Sequence, residues 1–353
     1  MAVAILLRAI RAAHYSAAML GKSSIAARLA GAAVLLACAA APARAAEPVR
    51  IGIGFGLAFL PAYICEDQKL VEKYAKALHA DVKASYTRFV GAGPMQEALL
   101  GRSVDMAPFG VAPLLAAWQS GKGTPHQVLA VSGMTTLPLE LLGNRPQLRT
   151  LADLRAADRI AVPTLTSPQM YLLEMQSEKT FGAHDRLRGD VVALPPGDAA
   201  AALIAGTEDI AAYFSSAPFT QIALKDPKIH RMLSSQDIIG GKASLLLMGA
   251  TKGYIESHAA IIEAIGKAMD EAARIIRDDP NRAARIYLAH EPSRALDAPT
   301  IAAVLKDNKD EFGSAVHGIE AFAAFMARHD ELKAPPKSWQ DVVAPALLRS
   351  PSS

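Results

Sequence analysis

Cysteine is nearly missing from this 353-residue chain, aromatic residues make up only 6% of it, and there are two tryptophans. Each shortage removes an explanation. The two cysteines are Cys38 and Cys65, and the first falls in a segment that reads as a cleaved leader. A single remaining cysteine forms no internal disulfide, whatever the compartment. Cys65 stands beside Glu66 and Asp67, which supply no cation to lower a thiol pKa, so it reads as a small buried hydrophobe and not a nucleophile. Beyond residue 45 there is no long apolar run, so the mature chain is expected to be soluble. Enzyme signatures are missing as well. Gly52, Gly54 and Gly56 lack the third spacing of a dinucleotide fingerprint, and no Walker loop, Gly-x-Ser-x-Gly elbow or His-Glu-x-x-His pair occurs. The nine histidines are scattered, without metal-ligand spacing. No cofactor and no metal are expected.

The formal net charge of +3 belongs to the leader. Arg8, Arg11, Lys22, Arg28 and Arg44 all precede residue 46 and no acidic residue does, which leaves 32 basic residues against 34 acidic ones. A nearly neutral mature chain offers no electrostatic footing for nucleic acid. Lys22 and Arg28 precede the apolar stretch Leu29 to Ala41, and Ala43-Arg44-Ala45 follows with small residues at the cleavage position. That is the layout of a secretion signal over residues 1–45, with an apolar core too short for a stable membrane span. Residues 1–18 exceed what such a signal needs, so Met19 is an alternative start. Leu35-Leu36-Ala37-Cys38 also resembles a lipoprotein cleavage box, with an unusual Leu36, so anchoring at Cys38 is a second reading of the same segment.

What is present is a duplication. Ala98 to Phe109 recurs as Ala202 to Tyr213, each copy reading as a helix end, a turn, an aspartate (Asp105, Asp209), then an apolar strand closed by an aromatic. Val49 to Gly54 and Asp158 to Pro163 are paired apolar runs, and Val82 to Phe89 and Asp190 to Leu194 are paired second strands. Each half therefore reads strand–helix–strand–helix–strand, the order of a mainly parallel sheet flanked by helices. Val128 to Val131 adds a strand to the first half. Leu137 to Leu142 and Ser244 to Thr251 suit two crossovers between halves, and Ser257 to Arg277 is an amphipathic helix ended by Asp278-Asp279-Pro280. The chain is thus expected to be α/β and two-lobed, with lobe 1 formed by 46–140 plus 250–353, lobe 2 inserted as 141–249, and a two-strand hinge that permits closure on a ligand. Such folds seat ligands outside the carboxyl ends of strands.

Four prolines, Pro94, Pro113, Pro168 and Pro218, each follow an apparent strand and precede a helical run. Proline is tolerated in a first helical turn, so four helix N-termini are expected at strand ends, where free N–H groups and the helix dipole favour anions. Thr164, Thr166, Ser167 and Gln169 surround the best of them, and Ser167 suits a cap. Phe55, Phe59, Phe109, Tyr213 and Phe214 lie at or just beyond strand ends and suit either a cleft wall or core packing. Lys242 follows Gly240-Gly241 and suits either an anion partner or a solvated loop.

Several segments together resemble the solute-binding proteins of ABC importers, in the nitrate/sulfonate/taurine-type branch that includes thiamine-precursor binders. They are Val49 to Gly52 with Pro61-x-Tyr63, Ala98 to Gly101 with Val104-Asp105, and Leu151 to Leu154 with Ile160 to Pro163. Ala202-Leu203 with Asp209 to Ala211, Pro218-Phe219, and Pro336 to Trp339 with Asp341 complete the set. The resemblance runs from about Val49 to Pro345. It implies a type II periplasmic-binding fold, a small-molecule ligand, an ABC permease and its ATPase as partners, and a monomer working in the periplasm beside the inner membrane. It also implies ligand contacts at Phe55 to Phe59, Phe109-Gly110, Met134-Thr135, Thr164 to Gln169 and Tyr213-Phe214-Ser215-Ser216. No arginine stands in those loops to clamp a sulfonate or nitrate. An enzyme or a ligand sensor on the same fold, related to thiamine-pyrimidine metabolism, is the alternative.

Overall fold

The computed structural model describes residues 45–206 and 209–349. The expected secretion signal, but for Ala45, the alternative start at Met19 and Cys38 lie outside the described residues. The chain begins with β1 (Glu47–Ile53), α1 (Leu60–Gln68), α2 (Leu70–Ala77), β2 (Val82–Arg88), α3 (Ala92–Leu100), β3 (Met106–Phe109), α4 (Val111–Ser120) and β4 (Val128–Thr135). It continues through β5 (Glu140–Gly143), β6 (Arg159–Val162), α5 (Pro168–Phe181), β7 (Val191–Ala193), α6 (Pro196–Ala205), β8 (Ile210–Ser215), α7 (Phe219–Ala223), β9 (His230–Ser234) and α8 (Ser235–Ile239). The last part holds β10 (Leu246–Thr251), α9 (Lys252–Ser257), α10 (Ala259–Asp278), α11 (Pro280–His290), α12 (Ala298–Asp307) and α13 (Ile319–Arg328).

Two five-stranded sheets result, ordered β2-β1-β3-β10-β4 and β7-β6-β8-β5-β9. The duplicated halves supply the parallel trios β2-β1-β3 and β7-β6-β8. Each sheet then takes one antiparallel strand: β10 between β3 and β4, and β5 between β8 and β9. The reversed strand is in both cases the one that arrives from the other sheet. A chain that leaves one sheet at the carboxyl end of its strands and enters the next at the same end must run backwards there. The links are residues 136–139 and 240–245. Leu246 to Gly249, placed in the inserted lobe by the sequence, pair instead in the first sheet.

Apolar side chains fill three layers. The first packs α1, α10, α11 and α12 on one face of the first sheet, with Val49, Ile51, Tyr63, Ile265 and Leu305 among its members. The second runs from the opposite face of that sheet to the second sheet and joins Phe109, Leu114 and Val128 to Leu141, Ile160, Leu172 and Phe214. The third covers the outer face of the second sheet, with Leu142, Ala161, Leu203 and Tyr213. The amphipathic reading of α10 matches its buried stripe Ile261, Ile262, Ile265, Met269, Ala272 and Ile276. Cys65 is fully buried in α1, and burial pushes its thiol well above the usual range, so the inert reading holds.

The start of β6 is held by an ion pair. Asp158, 8% exposed, takes the guanidinium fork of Arg145 on both carboxylate oxygens and the backbone N–H of Arg155 at 2.6 Å. Burial raises its pKa, but the Arg145 fork and the Arg155 N–H outweigh this and hold it below the usual value. A depressed folded pKa stabilises above the unfolded value, near pH 4, and is lost as pH falls through the folded value. Asp158→Asn is therefore expected to cost about 2–4 kcal/mol at pH 7 and to flatten the acid limb below pH 4. Urea midpoints measured from pH 3 to pH 7 check this, and parallel curves for the variant and the parent would remove the pair from the ledger.

Candidate functional site

The carboxyl end of β3 in the first sheet meets that of β6 in the second. Gly110, which opens α4, lies against the N-terminus of α5: a Cβ there would stand 2.6 Å from Pro168 Cγ and 3.7 Å from the carbonyl oxygen of Leu245. Only glycine allows so close an approach. One loop from each sheet and the returning crossover thus converge at a single point.

On the second-sheet side, Ser167 is the N-cap of α5, with Pro168 at the first helical position. Its Oγ accepts from the Met170 N–H at 3.4 Å and donates to the Thr164 carbonyl at 2.7 Å. The hydroxyl is thus committed to the turn, which leaves the dipole and the first-turn N–H groups as what the helix end presents. Thr166 is exposed, Thr164 half-buried and 3.5 Å from it between hydroxyls. Gln169 is buried. Leu165, between the threonines, is 58% exposed, and Phe55 in the matching loop after β1 is 50% exposed. Both lobes therefore present an apolar side chain just beyond their first strand.

The loop after β1 rests on a polar cluster. Glu291, directly after α11, accepts the Gly56 N–H at 2.6 Å on Oε1, where the Tyr63 hydroxyl also lies at 2.6 Å, and receives the Tyr287 hydroxyl at 3.2 Å on Oε2. The Tyr63 hydroxyl is also 2.7 Å from the Gly54 carbonyl, so its single proton serves one of two acceptors. Burial, with Glu291 adding to it, pushes the phenols of Tyr63 and Tyr287 well above their usual range, so both remain donors. The Tyr63 ring stacks on His290 with centroids 4.8 Å apart and planes 10° apart. Gly56 has φ +107°, a conformation open to glycine. The Phe59 ring is half-buried and lies where a Cβ on Gly54 would sit, 2.5 Å away.

The remaining expected contacts lie elsewhere. Phe109, Met134, Tyr213 and Phe214 are core residues, not cleft walls. Tyr213 belongs to the third layer and Phe214 to the second, because adjacent strand residues face opposite ways and helices cover both faces. Thr135 is buried, with Oγ1 donating to the Glu311 carbonyl at 2.8 Å and accepting the Leu137 N–H at 3.0 Å. Ser215 is fully buried and accepts from the Thr220 hydroxyl at 3.0 Å, while Ser216 is half-buried. Lys242 pairs with Glu311 at 2.9 Å and donates to the Asp310 carbonyl at 3.0 Å, so it clasps the C-terminal segment. Phe55, Phe59, Thr164, Thr166 and Ser216 are the expected residues that keep exposed or half-exposed surface at the strand ends, while Gly110 and Ser167 lie there buried. Glu291 escaped the sequence because it lies 235 residues from Gly56 and no local pattern joins them. Among the described residues, no group of three or more His, Cys, Asp or Glu is arranged to hold a metal, and no helix is long and apolar enough to cross a membrane.

Two α/β sheets joined by two crossovers, with their strand ends opposed, define a two-lobed fold of the periplasmic-binding-protein class. The sequence profile of the NMT1-like family matches residues 43–289, and the chain belongs to that family. A search of curated proteins finds no match. Among solved structures, the periplasmic aliphatic sulphonate-binding protein SsuA of Escherichia coli is similar at 20% identity and TM-score 0.64, covering 84% of this chain and 92% of its own. The alkanesulfonate-binding protein SsuA of Xanthomonas axonopodis pv. citri, bound to MOPS, is similar at 21% identity and TM-score 0.63, covering 86% and 99%. The ligand-binding component of an ABC-type import system from Staphylococcus aureus, with zinc bound, is similar at 18% identity and TM-score 0.63, covering 87% and 99%.

Proposed function

We propose that this protein is the solute-binding component of an ABC importer, a periplasmic and non-enzymatic carrier that closes two lobes on a small organic or anionic solute. The lobes divide at residues 136–139 and 240–245, and the closed form docks on a permease driven by its ATPase. The observation that carries this reading is the convergence of Gly110, Pro168 and Leu245 where the two sheets' strand ends meet across a pair of crossovers. A polar head at the α5 N-terminus gains about 0.3–1 kcal/mol from the dipole when exposed and up to ~2 when partly buried. Phe55 and Leu165 flank the opening and suit an apolar remainder such as an alkyl chain. Sulfonate-, nitrate- or taurine-like solutes fit that description.

A thermal-shift screen of sulfonates, carboxylates, nitrate and pyrimidines tests it. A true ligand at a hundredfold above its Kd stabilises by about 2.7 kcal/mol, and saturating ligand makes the protein more compact in solution scattering. Thr166→Ala, a change at an exposed position, is then expected to weaken binding by about 1–2 kcal/mol through a lost hydrogen bond. Ser167→Gly keeps a tolerated N-cap at a cost of a few tenths of a kcal/mol and separates capping from ligand contact. An unaltered radius of gyration with ligand bound, together with unchanged affinity in Thr166→Ala, would sink the reading.

A further inference from the structure

Beside the first crossover, on the α7 side of the second sheet, lies a cavity of about 60 Å³ whose wall includes Pro138, Glu140, Gln221, Arg231 and Asn308. It is separate from the α5 N-terminus, and its chemistry is the reverse. Glu140 is 7% exposed, and its Oε2 is buried without a hydrogen bond, as is Oε1 of Gln221. Arg231 Nε comes within 2.7 Å of Glu140 Oε2 as an ion pair, although its N–H is poorly aligned for a hydrogen bond to that oxygen. Burial raises the Glu140 pKa and Arg231 pulls it back. Arg231 offsets only part of the cost of burying the Glu140 carboxylate, and Gln221 Oε1 has no donor, so a donor placed in the cavity would relieve both.

We propose that this pocket binds the primary ammonium group of a small amine, with Glu140 and Gln221 as its acceptors. An ammonium brings a positive charge and several N–H donors in a volume the cavity holds. A bare calcium ion does not fit, since it takes six to eight oxygen ligands. The Arg231 side chain is 54% exposed, so its head group has solvent to withdraw into, whereas Glu140 does not. The walls come from the crossover, from β5, α7 and β9 of the second sheet, and from Asn308 at the end of α12, so an occupant touches both sides of the proposed hinge. The proposal does not rest on solute capture at the strand-end cleft.

The test uses the soluble chain at neutral pH, titrated calorimetrically with methylammonium chloride, and with tetramethylammonium chloride and sodium chloride at matched ionic strength. Methylammonium is expected to bind saturably, while tetramethylammonium, which has no N–H, and sodium give no saturable signal. Glu140→Gln is expected to weaken methylammonium binding tenfold or more and Gln221→Leu by about three- to tenfold, in keeping with the strengths of charged and neutral hydrogen bonds. Arg231→Gln, which removes the competing cation, is expected to tighten it. Equal responses to methylammonium and tetramethylammonium would overturn the proposal and leave a water-filled cavity. Should Glu140→Gln fail to fold, undiminished binding in Gln221→Leu would overturn it equally.

Discussion

Gly133→Ala is expected to destabilise the protein by about 3 kcal/mol or more, the upper end of the range for overpacking. Gly133 lies in β4, and a Cβ there would stand 2.1 Å from the Ala315 carbonyl oxygen and 2.9 Å from that of Gly313. These are backbone atoms, so no rotamer change relieves the clash. The segment they belong to is bound at the glycine and just after it: the Gly133 N–H donates to the Ser314 carbonyl at 2.7 Å, the Met134 carbonyl accepts the Gly313 N–H at 3.2 Å, and the Thr136 N–H donates to the Glu311 carbonyl at 2.7 Å. A methyl group must push the segment away and break these bonds. The segment also receives Lys242 from the second crossover, so its displacement is expected to loosen the hinge as well. Urea unfolding checks the first effect through a lowered midpoint at unchanged m-value. A midpoint within 0.2 M of the parent would show that the segment yields at little cost.

Glu291→Ala is expected to cost about 3–5 kcal/mol. The Gly56 N–H and the hydroxyls of Tyr63 and Tyr287 converge on this carboxylate, and removing it orphans buried donors at roughly 1–3 kcal/mol each. The Tyr63 hydroxyl retains the Gly54 carbonyl, which keeps the total below the sum. In a chain with about 300 structured residues, unfolding entropy near 2.1 cal/mol/K per residue converts each kcal/mol into roughly 1.6 °C of Tm, so a fall of about 5–8 °C is expected. The loop bearing Phe55 hangs on the Gly56 bond, so solute affinity is expected to fall in the same variant even when it is assayed well below its Tm. Glu291→Gln retains one acceptor but turns an NH2 toward donors, and it should fall between alanine and the parent. Stability within 1 kcal/mol of the parent in Glu291→Ala would remove the cluster as the anchor of this loop.

The duplication and three of the four proline-led helix starts, at Pro94, Pro113 and Pro168, were readable along the chain, whereas Pro218 is the N-cap of the five-residue α7 and lies outside its first turn. Ala98 to Phe109 and Ala202 to Tyr213 announced equivalent strands, β3 and β8, because a buried parallel strand flanked by helices is an apolar run of limited length wherever it occurs. Ser167 was readable as a cap because capping depends on its own helix turn. β9 was not readable: His230-Arg231-Met232-Leu233-Ser234 does not alternate, and as the half-exposed edge of its sheet it needs no apolar face. The assignment of Phe109, Tyr213 and Phe214 was undecidable from the chain alone. An aromatic residue at a strand end has the same sequence signature whether a helix covers it or a ligand does.

By itself, then, the sequence determined the local units and their order, since periodicity, proline tolerance and caps act within a few residues. The tertiary structure decided which sheet each crossover strand joins, where the reversed strands β5 and β10 insert, and what covers the strand tips. It alone brought Glu291 to Gly56, Glu311 to Thr135 and Lys242, and Gly110 to Pro168. These contacts span 58 to 235 residues, and the partners share no helix turn, strand register or β-turn. Their complementarity exists only once the chain has closed the loops between them, so no short window of sequence contains it.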